Sequence, residues 1–91
     1  MRVSIIVEDR SVVVDGVGIA ITSGWPTTPD DIWAYQWYND HGVKEYIDTG
    51  KLNEEFADIS EIQSYIDVHS TTLTQIELDK QVAITTAVYQ P

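Results

Sequence analysis

The sequence predicts an α+β fold: a small antiparallel sheet of about five strands, followed by a long C-terminal helix. Three observations carry this expectation. β-branched runs separated by turn residues fill the first quarter of the chain. An aromatic segment that alternates with period two occupies the middle. From Ile59 onward, apolar residues recur at spacings of three and four. The pattern changes near residue 57, so residues 1–57 read as a β part and 58–91 as a helical part of one domain. A chain of 91 residues suits a single domain.

Val3-Ser4-Ile5-Ile6-Val7 reads as the first strand, and Glu8 to Ser11 as a polar turn. Val12-Val13-Val14 and Val17 to Ile21 flank Asp15-Gly16. Asp-Gly between β-branched runs is a strong hairpin signal, because a type I′ turn needs positive φ at both central positions. The first 22 residues therefore form a three-stranded meander. Thr22 to Pro29 is a loop, since neither Pro26 nor Pro29 can donate to a ladder.

Ile32 to Tyr38 is the aromatic strand. Strict alternation places Trp33, Tyr35 and Trp37 on one face, expected to be core, and Ile32, Ala34, Gln36 and Tyr38 on the other. Asn39-Asp40-His41-Gly42 is the hairpin turn, and Val43 to Asp48 the returning strand. Tyr38 and Tyr46 are then the exposed pair. Gly50 to Glu55 reads as a polar loop.

Asp58 followed by Glu61 has the form of a helix start. Written as a heptad, Ile59, Ile66, Leu73, Lys80 and Ala87 fall at a, and Ile62, His69, Ile76 and Ala83 at d. This spacing suggests a coiled coil, and isoleucine at both a and d favours more than two strands. The expected seam is Ile59, Ile62, Ile66, His69, Leu73 and Ile76. A seam histidine would make assembly pH-sensitive. Residues 82–89 also alternate as a strand would, so the helix either continues to 88 or ends near Lys80.

Composition narrows the chemistry. Fifteen acidic residues against five basic ones give a net charge of −10. Direct binding of nucleic acid or an anionic membrane needs a basic patch, so neither is expected. With no cysteine there are no disulfides and no thiolate sites. His41 and His69 share no ligand spacing, and Asp48 to Glu55 lacks the pattern of a calcium loop. No glycine-rich phosphate loop or nucleophile elbow occurs. No enzyme activity, metal or cofactor is therefore expected. The start of the chain does not read as a secretory leader, and no window has the apolar length of a membrane span.

Binding is the remaining class. Trp25, Tyr38 and Tyr46 are candidate partner-binding aromatics, because large rings dominate interface hot spots. Glu54 and Glu55 lie in the densest acidic stretch, from Asp48 to Glu61. Carboxylates spaced like phosphates can occupy a nucleic-acid-binding cleft on another protein.

The segment Trp33-Ala34-Tyr35-Gln36-Trp37-Tyr38, with Gly42-Val43-Lys44-Glu45-Tyr46 and Gly50-Lys51-Leu52-Asn53-Glu54, resembles a group of small uncharacterised tailed-bacteriophage proteins. They share an A-x-Q-W core, a glycine turn, a strand ending in Glu-Tyr and a loop with Asn-Glu. Val14-Asp15-Gly16 also fits, and the likeness spans roughly residues 3–66. The group's genes tend to lie among tail and fibre genes. The resemblance thus implies a virion or fibre-assembly protein, made in the host cytoplasm and carried into the particle. Its partners would be itself, as a trimer or larger, and other tail or fibre proteins. The alternative is an acidic phage-encoded inhibitor of a host nucleic-acid-handling defence protein. A third reading is a sugar-binding module using Trp25 and the exposed tyrosines.

Overall fold

The computed structural model describes residues 1–89, with side chains as far as Gln81. Asp15 and Gly16 take φ values of 48° and 84°, as the hairpin turn requires, and set the register of the two strands that flank them. β1 (Arg2–Ile6), β2 (Ser11–Val14) and β3 (Val17–Ala20) form the expected meander. β4 (Ile32–Tyr38) and β5 (Gly42–Tyr46) form the aromatic hairpin around Asn39, whose φ is 68°. A sixth strand, β6 (Glu54–Phe56), lies where a polar loop was expected. It is three residues long, too short for alternation to reveal.

All pairings are antiparallel, in the order β3-β2-β1-β4-β5-β6. The registers draw straight rows across the sheet. One face carries Ile19, Val12, Ile5, Tyr35, Lys44 and Glu54 in line, and beside them Val17, Val14, Val3, Trp37, Gly42 and Phe56. The opposite face carries Gly18, Val13, Ser4, Gln36, Val43 and Glu55. There Ser4 Oγ donates to Gln36 Oε1 at 2.7 Å, and Gln36 Nε2 donates to Glu45 Oε2 at 3.3 Å.

The helical part packs on the first face. Asp58 caps it, accepting from the Ser60 N–H at 2.9 Å, and this bond holds its carboxyl below the usual carboxylate range. The first turn, Ile59–Ile62, is a 3-10 turn, and α1 runs from Gln63 to Tyr89. Glu61 does not close a capping box; it bonds Lys44 Nζ at 2.8 Å instead. Because α1 continues to Tyr89, the strand alternative over 82–89 does not form.

The expected seam is corrected by this packing. Ile62 and His69 are buried against the chain's own sheet, and Ile59, Ile66 and Leu73 pack on the same core. Ile76 alone among the six stands exposed. A lone amphipathic stripe is as well satisfied by a sheet as by another helix, and periodicity does not distinguish them. Ala83 and Ala87 of the heptad lie outside the described side chains.

Candidate functional site: the bulged end of the aromatic hairpin

The second correction concerns Trp33. β4 and β5 pair Ile32 with Tyr46 and then Ala34 with Glu45, which leaves Trp33 as an extra residue in a β-bulge. Ile32 is buried with Tyr35 and Trp37, whereas Trp33 stands out at 40% exposure. The bulge thus exchanges the expected places of these two side chains.

Trp33 lies at one end of the sheet, where three segments meet. Val7 N–H donates to the Trp33 carbonyl at 3.0 Å, and Ile47 N–H donates to the Asp31 carbonyl at 3.0 Å. These backbone bonds frame a cup of about 380 Å³ lined by Val7, Glu8, Ile32, Trp33 and Ile47. Ile47 is 59% exposed. An apolar concavity with an exposed tryptophan and isoleucine at its lip is the geometry of a docking site.

The same end gathers two of the residues singled out from sequence. Tyr46 donates its hydroxyl to Glu54 at 3.1 Å, and Lys51 Nζ lies 3.8 Å from the centre of the Tyr46 ring. Lys51 also reaches Asp31 at 3.4 Å. Partial burial, and then the bond to Glu54, raise the Tyr46 phenol above its ordinary pKa.

The other candidates lie elsewhere. Glu55 projects from the opposite face of the sheet to Glu54. Tyr38 sits at the far end of β4, between the Arg2 guanidinium, 4.1 Å from its ring centre, and the stacked His41 ring at 5.5 Å. His41 in turn bonds Asp40 at 2.7 Å and lowers its carboxyl pKa. Trp25 is half-buried and edge-on to Tyr65, with ring centres 5.2 Å apart. It belongs to an aromatic and hydroxyl cluster of Tyr35, Tyr65 and Thr28, in which Thr28 and Tyr65 hydrogen-bond. Burial, and next the Tyr65 phenol, push Tyr35 up to about 12. Trp25 and the exposed tyrosines therefore make no common sugar platform.

A larger, more open cleft of about 650 Å³ separates Thr22, Ser23 and Gly24 from the α1 face of Asp67, Val68 and Thr71. It is wider than the cup but has no large apolar side chain in its wall. Among the described residues, no group of three His, Asp or Glu is placed to hold a metal ion, and no helix is long and apolar enough to cross a membrane. Trp37 Nε1 is the buried side-chain donor left without a partner among those residues, and it lies in the core. Comparison with protein-family models, with curated proteins and with solved structures gave no match.

Proposed function

We propose that this chain is a non-catalytic assembly component of a tailed-phage particle, in or near the tail or fibre. It acts by associating with itself and by docking other proteins of that region. The phage setting rests on the resemblance carried by Trp33 to Tyr38, Gly42 to Tyr46 and Gly50 to Glu54.

The mode of action rests on the division of labour along α1. Its first three turns cover the sheet, from Tyr65 to Leu73. The helix then continues to Tyr89, and the residues from Thr74 to Gln81 are all exposed. Ile76 and Leu78, at 38% and 50%, are apolar side chains left open on that stretch. An isolated helix of this length is marginal in water unless its apolar side chains find a partner. Two residues apart, Ile76 and Leu78 point to opposite sides of the helix, so one partner helix covers only one of them, and further copies in a symmetric oligomer cover both, which favours a trimer or larger assembly.

The test is solution mass by size-exclusion chromatography with light scattering at two protein concentrations. The expected result is a concentration-independent trimer or larger. Combining Ile76→Asp with Leu78→Asp should give a monomer whose sheet stays folded, with a lower melting temperature because the oligomer no longer stabilises it. A wild-type monomer at both concentrations overturns self-association. Changes at Ile66 or Leu73 would strike the chain's own core and cannot serve here.

One observation favours the inhibitor as a second reading. Lys44 is bonded to Glu61 and Lys51 to Asp31, so part of the small basic complement is already neutralised. Each pair uses one carboxylate and one lysine, and the net charge of −10 remains for a basic partner. Affinity for such a partner should fall steeply with salt.

A further inference from the structure

We infer that the cup formed by Trp33 and Ile47 is a docking site for a partner-protein segment that presents one apolar side chain flanked by lysine or arginine. Three observations meet here. The first is the bulge. A β-bulge re-aims a side chain, and this one turns a tryptophan out of the core at the end of a strand whose other two large aromatics, Tyr35 and Trp37, are buried. The same position without a bulge would have joined the Tyr35 and Trp37 face.

The second is shape and lining. Val7, Ile32, Trp33 and Ile47 make an apolar wall, and the volume of about 380 Å³ is at the small end of the range for ligand pockets, roughly 300–1,000 Å³. It suits one inserted side chain better than a large cofactor. Its frame is fixed by the Val7 to Trp33 and Ile47 to Asp31 backbone bonds, so little ordering is needed on binding.

The third is charge. Glu8 is part of the wall. The segments that build the cup, 7–10, 30–33 and 46–51, carry Glu8, Asp9, Asp30, Asp31 and Asp48 against Arg10 and Lys51. Lys51 is held on Asp31 and over Tyr46. An apolar floor with the Glu8 carboxylate in its wall, on segments that carry more acid than base, selects an apolar anchor with basic neighbours and disfavours acidic ones by like-charge repulsion.

This inference deepens the reading as a docking component but does not depend on the projecting part of α1, so its test is separate from the measurement of mass. The three tryptophans give three indole N–H resonances, and the probe is a pair of short peptides. Acetyl-Lys-Leu-Phe-Lys-amide should produce saturable shifts at the Trp33 indole and the Ile47 amide. Binding should be about fivefold tighter than for acetyl-Glu-Leu-Phe-Glu-amide at low salt. Glu8→Lys should remove that preference, and Trp33→Ala should remove binding. Two variants at exposed positions guard against a folding artefact. Equal affinity for both peptides, shifts centred elsewhere, or no shift at all overturns the inference. So does a Trp33 shift that follows protein concentration alone, which would assign the cup to a second copy.

Discussion

His69 Nε2 donates to the carbonyl of Val17 at 2.7 Å, and so ties the second turn of α1 to the edge strand β3. The ring is 5% exposed. A carbonyl only accepts, so Nε2 carries the proton in this bond. The residue that reads as a seam histidine is thus a clamp between two elements of one chain. His69→Ala removes the clamp and leaves a cavity under the helix. It should cost about 1–3 kcal/mol in urea unfolding. Amide exchange in β3 and in α1 beyond His69 should accelerate more than in β4.

The stripe on α1 gives a contrast within one helix. Ile62 is fully buried, and Ile62→Ala should cost about 2–5 kcal/mol. Ile76→Ala should change monomer stability by no more than about 0.5 kcal/mol, because the side chain is exposed and is not among those packed on the core. Thermal melts of both variants, made at a concentration where the mass is known, check this. Equal losses at the two sites would mean that the sheet covers more of α1 than its first three turns.

Gly42 shows what a missing side chain does. It stands in register between Trp37 and Phe56, and a Cβ built on it would overlap the Phe56 ring. Its φ is not in the left-handed region, so space rather than backbone freedom demands glycine. Gly42→Ala should cost about 1–3 kcal/mol by overpacking. Phe56→Leu in the same chain should recover part of the loss, and comparing the single and double variants by denaturant midpoint checks the coupling.

Tyr35 sets an alkaline limit. Its phenol is pushed from 10.0 up to about 12 by burial and by Tyr65. Above pH 10 the unfolded chain loses this proton while the folded chain keeps it, so stability falls as pH rises toward 12. Each pH unit in that window removes up to about 1.4 kcal/mol. Tyr35→Phe lacks the proton, and its stability should decline less steeply over the same range. Urea midpoints of the two proteins across the window give the comparison.

Much of the fold is legible in the residues. Asp15-Gly16 specifies its turn, and the meander, the hairpin and the helix follow from local patterns. What escapes is non-local. β6 is visible only through its pairing with β5, as in Val43 opposite Glu55. The bulge at Trp33 carries no signature, since Ile32 to Tyr38 would also suit an unbroken strand. The apolar stripe announces burial but not its partner, and its partner is the sheet. At the candidate site, Tyr46 and Glu54 could be singled out as an aromatic and an acid. Trp33 and Ile47 could not, because their exposure depends on one inserted residue and on the end of a strand.

The anchoring of α1 has a mechanical consequence. From Leu73, the last of its residues packed on the core, to Tyr89 the helix extends about 24 Å at 1.5 Å per residue. A helix of that length is stiff, so it acts as a lever arm pivoting near His69. A tilt of about 10° at the pivot would carry the far end, about 30 Å away, roughly 5 Å, given that rise per residue. Strain applied at the tip would be felt first at the Val17 carbonyl, on the open margin of the sheet.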